Sequence, residues 1–336
     1  MKKAAIATAI TTLVSGSAFA AEVYNSDGNS LSIGGRAEFR GDFQGTSGGD
    51  KIDGTMQNNS RVRINVGGET QISNGFSGIA FYEAEQKVKS SGSNDKNDNF
   101  EQRYMWAGLS SDAGAVTFGR QDAATVQISQ MTDTVTSHSG IQKTFIQAGD
   151  EQINNAIAYS GYFMDALSVK ASFLLAEEEN ENGWALSGIY TLPMGLGLGL
   201  GYAANDNPGA NAQDSTQVIG GVNYRLDGLY VGVGYTQGDG SKKFAGDNKF
   251  NSVEAVAQYR FESNFEAVLG YQKGEIDPDG LDKYSVSDYV EFTGVYYFNS
   301  TLRTYATYKL NNLKADSSQR TEDAENSLRL ALRYDF

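Results

Sequence analysis

Alternation at a period of two is the feature that most narrows what this chain can become. In its last eleven residues, NSLRLALRYDF, one alternate set is Leu328, Leu330, Leu332, Tyr334 and Phe336. The other is Ser327, Arg329, Ala331, Arg333 and Asp335. Successive side chains of a strand point to opposite faces, so one face here is greasy and the other carries two guanidiniums. The pattern recurs upstream. LSIGGRAEFRGDF sets Leu31, Ile33, Ala37, Phe39 and Phe43 against Arg36, Glu38, Arg40 and Asp42. RVRINVGGETQI sets Val62, Ile64 and Val66 against Arg61, Arg63 and Asn65, and SVEAVAQYRF sets Val253, Ala255, Ala257 and Tyr259 against Glu254, Gln258 and Arg260.

Run by run, the alternation predicts sixteen strands, near residues 30–44, 59–73, 76–90, 100–110, 114–120, 151–161, 166–176, 183–192, 195–204, 215–226, 229–237, 250–262, 265–275, 285–298, 301–312 and 326–336. Short turns such as Ser73-Asn74-Gly75, Asp227-Gly228 and Ser263-Asn264 alternate with long polar loops such as SGSNDKNDN and KADSSQRTEDAE. An even number of antiparallel strands with turns short on one side and long on the other marks a transmembrane β-barrel. In lipid every backbone polar group must be paired internally, so the sheet closes on itself, greasy face outward and polar face toward a wet lumen. A soluble two-sheet sandwich also alternates, but it has little use for sixteen strands with every long loop at one end. Tyr104, Tyr159, Tyr190, Tyr202, Tyr296, Tyr334 and Phe336 are expected in the interfacial aromatic girdles.

The N-terminus fixes the compartment. Lys2 and Lys3 precede a short, mildly apolar stretch, and Ala18-Phe19-Ala20 forms an A-x-A cleavage site. Residues 1–20 therefore read as a secretory signal peptide, leaving 21–336 as a single barrel domain. No later apolar run approaches the ~18 residues of a transmembrane helix. The chain has no cysteine, so an exported protein of this length is stabilised without disulfides. Its 27 basic and 41 acidic residues, a net charge of −14, argue against a nucleic-acid partner.

AEVYNSDGNSLSIGGRAEF, GGETQISNGFSG, WAGLSSDAGAVTFGR, GVYYFNSTLRTYATY and the terminal LRYDF, taken in their order and spacing, resemble the trimeric general-diffusion porins of Gram-negative outer membranes. The overall flavour is closest to porins of marine and Vibrio-like bacteria, and the resemblance spans essentially the whole mature chain. It implies a homotrimer in the outer membrane, reached through the periplasm with the barrel-assembly machinery, for which Tyr334 and Phe336 carry the assembly signal. It also implies a third loop folded into the barrel. Residues 121–150, the longest connection, follow the fifth strand and stand in that ordinal place. By resemblance the pore constriction is lined by Arg36, Arg63 and Arg103, with Arg61 beside them and Asp133 on the loop, and Asp122 is a further loop acid. Two departures appear: the family's Pro-Glu-Phe-Gly-Gly turn becomes Thr136-Ser137-His138-Ser139-Gly140, and Gln152 stands where a further wall arginine is expected.

The function expected is passive diffusion of small hydrophilic solutes and ions through a water-filled channel, moderately cation-selective, with no catalytic residue, metal or cofactor. Outer-membrane lipid and lipopolysaccharide are the expected surroundings, with divalent cations as bridges to acidic loops. A substrate-specific channel is the second reading, marked by a track of aromatics or a ladder of charge in the lumen. A structural or adhesive barrel is favoured only if the lumen is plugged. An outer-membrane lipase is the rival enzyme class, since Ser137 and Ser139 flank the single histidine, His138; a solvated loop imidazole is the plainer account.

Overall fold

In a computed structural model, residues 20–46, 48–89, 93–134, 139–179, 181–207, 214–240, 248–313 and 325–336 are described. Most of the signal segment and His138 lie outside them. Eighteen strands follow one another: β1 (Ala21–Ser26), β2 (Asn29–Gln44), β3 (Gln57–Asn58), β4 (Arg61–Ser73), β5 (Phe76–Lys87), β6 (Glu101–Ser111), β7 (Gly114–Gln121), β8 (Ile153–Phe163), β9 (Leu167–Leu174), β10 (Gly183–Thr191), β11 (Leu196–Asn205), β12 (Ser215–Leu226), β13 (Leu229–Asp239), β14 (Asn248–Arg260), β15 (Phe265–Pro278), β16 (Tyr284–Tyr297), β17 (Leu302–Asn311) and β18 (Ser327–Asp335). Each long strand pairs antiparallel with the next, and β18 returns to β2 through Leu332↔Phe39 and Tyr334↔Ala37. The ring of β2 and β4–β18 is therefore a closed sixteen-stranded barrel with no free edge among its members.

The two strands outside that ring have separate causes. β3 is a two-residue bridge onto β2. β1 hairpins onto β2 through Asp27 and Gly28, whose φ values of 53° and 77° are those of a tight type I′ turn. It covers Asn29–Ile33 of β2, and the C-terminal β18 covers the same edge from Arg36 onward. The two chain ends thus share one position in the ring, and Gly35 and Phe336 exchange backbone hydrogen bonds of 2.8 and 3.0 Å at the join. The sequence reading missed β1, although Asp-Gly between alternating residues is a strong hairpin signal.

The sidedness is inverted relative to a soluble protein. Phe39, Ile64, Phe118, Phe173, Leu200, Val233, Leu269, Phe292, Leu332 and Tyr334 are exposed, while Glu38, Asp42, Glu83, Glu85, Glu254, Glu291, Lys309 and Arg329 are buried. Tyr190, Tyr202, Tyr296, Tyr334 and Phe336 stand on the outer face as girdle residues should. Tyr104 does not. It faces inward, packs against Phe81, and donates its hydroxyl to Asp122 Oδ1 at 3.0 Å. Arg103 and Tyr104 both fall on the lumenal face because the β5–β6 register shifts by one at Glu83/Ala84, and such a slip moves side chains across the sheet.

Candidate functional site

Residues 122–152 connect β7 to β8, and those of them that are described fold against the inner wall. They form a short helix, α1 (Val126–Ser129), and two 3₁₀ turns, Ile141–Lys143 and Gln147–Gly149. Their apolar side chains build the largest buried cluster: Phe145 and Ile146 pack with Ala185, Ala203, Phe250 and Ile276 of the wall. The rings of Phe145 and Phe250 stack with centroids 4.4 Å apart. The loop thus buries apolar area where the barrel would otherwise hold water.

The wall is shaped for that contact. In the GLGLGLG run the leucines at 198 and 200 face outward and the glycines inward. A Cβ on Gly199 would stand 2.8 Å from Met131 Sδ and 2.9 Å from Ile128 Cδ1, and one on Gly232 only 2.3 Å from the Met131 carbonyl oxygen. Small inward residues are therefore what lets α1 and its C-terminal turn approach the wall. Polar contacts complete the attachment. Glu254 accepts the Thr132 hydroxyl at 2.9 Å and the backbone N–H groups of Gly140 at 3.1 Å and Gln142 at 3.4 Å. Tyr230 donates to the Met131 carbonyl at 2.7 Å, and Gln127 to Ser187 at 2.7 Å.

The loop narrows the lumen to a cavity of about 810 Å³ that is lined on one side by Arg36, Arg61, Arg63 and Arg103 and on the other by Asp133 and Lys143. The structure thus brings together the wall and loop residues singled out from sequence. Their charges are organised locally. Cross-strand register sets Arg61 between Glu38 and Lys87, and Arg63 between Arg36 and Glu85. Arg61 Nε lies 2.7 Å from Glu38, Arg63 Nη2 lies 2.6 Å from Glu85, and Arg103 Nε lies 2.8 Å from Glu83. Three arginines and three carboxylates therefore interdigitate along the wall. Removing either partner of such a buried pair costs about 3–5 kcal/mol, because the other charge is stranded.

Arg36 stands apart. It forms no ion pair among the described residues, and its Nε is buried without a hydrogen-bond partner. Asp133 is also not a bare loop acid. It pairs with Lys143, which reaches Glu151 at 2.9 Å, and accepts the Ser139 hydroxyl. Burial alone would lower the pKa of Lys143, but Asp133 and then Glu151 outweigh it, and the net shift is upward. Asp122 sits at the root of the loop, held by Tyr104 and by the Gln152 N–H at 3.1 Å. Burial, reinforced by Glu151, pushes its carboxyl above the usual range. Gln152 thus anchors the loop through its backbone, with φ at 56°. Of the departing turn, Ser139 and Gly140 are seen, and Thr136, Ser137 and His138 lie outside the described residues.

The alternation sets Glu38 on the lumenal face without naming its partner. It also sets Arg40, Arg333 and Glu254 on inward faces without assigning them to the site, and Arg303 is passed over. Among the described residues lining the cavity, arginines outnumber carboxylates seven to five. Inward alternation was the available signal for each of them.

Known proteins agree with this geometry. The sequence pattern of Gram-negative porins matches residues 4–316. Outer membrane protein U of Vibrio vulnificus is 32% identical over 360 aligned positions that span 100% of each chain. Among solved structures, Salmonella typhi OmpF in complex with daunomycin superposes with a TM-score of 0.80 at 20% identity, over 94% of this chain and 100% of that one. The trimer form of OmpT from Vibrio cholerae gives a TM-score of 0.69 at 16% identity, over 92% and 100%. With a sequence match of this extent, and a closed barrel whose third loop lines its lumen, the chain belongs to the Gram-negative porin family of the outer membrane.

Proposed function

We propose that the protein is a general-diffusion channel: a water-filled pore through which small hydrophilic solutes and ions cross passively, with no reaction, cofactor or energy coupling. The observation that carries this reading is a lumenal cavity of about 810 Å³ whose lining is dominated by charged side chains, inside a barrel whose outer face is apolar. The constriction is assigned to Arg36, Arg61, Arg63 and Arg103 facing the loop at Asp133, with Asp122 at its root. A transverse field between these groups orients dipolar solutes and penalises apolar ones. Residues 1–20 act as the cleaved export signal, and 21–336 form the single barrel domain. The working unit is a homotrimer, as the OmpT relative is in its trimer form. Tyr334 and Phe336 carry the signal read by the assembly machinery, and lipopolysaccharide is the outer-leaflet neighbour.

The ion preference we assign is moderate and cationic. A net charge of −14 raises the cation concentration near the mouths, and narrow low-dielectric walls focus the field. The arginines of the constriction oppose it, which keeps the preference from being strict. Screening over a Debye length of about 10 Å at 0.1 M salt makes the preference fade as salt rises. Single-channel recording in planar bilayers tests all of this. The expected result is a steady ohmic conductance, a cation-favouring reversal potential at low salt, less cation preference in Asp133→Arg, and more, with a wider pore, in Arg63→Ser. A reversal potential that favours anions in the wild type, or that ignores both substitutions, would remove the assignment of the constriction. Lipid hydrolysis by the purified trimer would overturn the channel reading in favour of an enzyme.

A further inference from the structure

The two arginines on the charged face of the C-terminal strand part company in the structure. Arg329 is consumed by a buried bidentate pair with Asp42, at 2.6 and 2.8 Å. Arg333 instead joins a second basic cluster toward the short-turn end of the lumen, distinct from the interdigitated pairs of the constriction. Register sets Arg303 opposite Arg333, Asp335 opposite Arg36, and Arg36 opposite Arg63, so guanidiniums run across β17, β18, β2 and β4. Arg260 joins from β14. Its guanidinium carbon lies 3.4 Å from the ring centroid of Tyr297, and that of Arg303 lies 5.6 Å from the same ring.

The compensation here is incomplete. Asp335 accepts Arg333 at 2.5 Å and stands 3.5 Å from Arg303, and Glu266 stands 3.6 Å from Arg260. Arg260, Arg303, Arg333 and Arg36 are thus matched by two side-chain carboxylates, with the terminal carboxylate of Phe336 one residue beyond Asp335 and against Gly35. The Nε atoms of Arg36 and Arg303 are both buried without a hydrogen-bond partner. Like charges set directly opposite across strands are destabilising, and a buried donor left without an acceptor is destabilising too. A row of this kind persists where something else supplies the missing negative charge.

We propose that Arg36, Arg303 and Arg333, with the Tyr297 ring against the Arg303 fork, form a binding subsite for an oxyanion group, such as the phosphate of a small hydrophilic solute. The two buried Nε donors without partners suit the acceptor oxygens of an oxyanion. Guanidinium suits a planar or tetrahedral oxyanion through paired N–H donors, and a tyrosine face holds the fork in orientation. Arg36 of the constriction lines one cavity with Arg303, Arg333 and Tyr297, so a solute in the narrow part meets Arg36 and then, on leaving it, the other three. In outer-membrane barrels the short turns are periplasmic, which makes this an exit-side subsite. The inference rests on the channel reading and names one class of solute that the channel retains in transit; a monovalent cation current is still carried in its absence.

The test is inorganic phosphate at pH 8, where the dianion dominates, added to wild-type trimer in a planar bilayer and compared with chloride at equal ionic strength. Phosphate is expected to lower the single-channel potassium chloride conductance in a saturable way. Arg303→Gln and Arg36→Gln are each expected to raise the half-blocking concentration about tenfold, equivalent to about 1.4 kcal/mol. Arg225→Gln is expected to behave as wild type, since Arg225 lies on β12 across the ring, stacked over Tyr230 at 4.7 Å. Two Arg→Gln variants on different strands guard against one that fails to assemble, which heat-modifiable migration reports directly. A half-blocking concentration within twofold of wild type in both variants overturns the subsite. So does a phosphate effect no larger than that of matched chloride, with the channel reading left standing. Absence of any conductance in chloride alone overturns the channel reading beneath it.

Discussion

Glu254→Ala is the sharpest perturbation of the third loop, because one carboxyl holds both shoulders of its tip. Oε2 takes the Thr132 hydroxyl at 2.9 Å, and Oε1 takes the Gly140 and Gln142 N–H groups at 3.1 and 3.4 Å. At about 1–3 kcal/mol for each of the two shorter bonds, truncation removes about 2–6 kcal/mol of tip attachment. A loss of 2 kcal/mol already raises the detached-tip population about thirtyfold. The rest of the loop stays, since Ile128, Met131, Phe145 and Ile146 remain buried at about 1.5–3 kcal/mol each. The barrel ladder is untouched, so assembled trimers should form normally. Single-channel recording should then show a larger mean conductance with more open-channel noise. Glu254→Gln should stay close to wild type, because an amide oxygen accepts the backbone N–H groups and its NH₂ can donate to the Thr132 hydroxyl. If the alanine variant matches wild type in both conductance and noise, Glu254 is not what fixes the tip.

Three further outcomes follow from the same geometry. Gly232→Ala places a Cβ 2.3 Å from the Met131 carbonyl oxygen, so the loop backbone must move, at a cost of about 1–3 kcal/mol; altered conductance with intact trimers is expected, and unaltered conductance would count against the glycine cradle. Deleting Phe336 removes the two backbone bonds to Gly35 that join the chain ends, and surface-assembled barrel should fall in favour of periplasmic aggregate; normal heat-modifiable protein in the outer membrane would contradict this. Lys143 is held above its ordinary pKa, so its ionic contribution is fully present below the unfolded value and is lost only as pH rises through the folded one. Lys143→Met should therefore raise channel noise equally at pH 6 and pH 9, whereas an effect that disappears by pH 9 would show that the pair is not intact across that range.

What the sequence determined by itself was sidedness. A period of two is local information, and lipid outside with water inside leaves one solution for a chain whose every strand is greasy on one face. Strand number, the long-loop end, the inward arginines and the inward glycines of GLGLGLG could all be read from it. Tyr104 escaped because a one-residue register shift between β5 and β6 is decided by pairing and leaves no mark in composition. β1 escaped although its Asp-Gly turn was in view, because a strand that shares its place in the ring with β18 is understood only once the ends meet. Only the tertiary structure decided which charge meets which. Arg61 finds Glu38 23 positions away, Arg329 finds Asp42 287 away, and Arg36 forms no ion pair among the described residues. Such partnerships depend on register around a closed ring and on where the third loop docks. Both are non-local, so identical inward arginines end fully paired in one row and with buried donors unmade in the next.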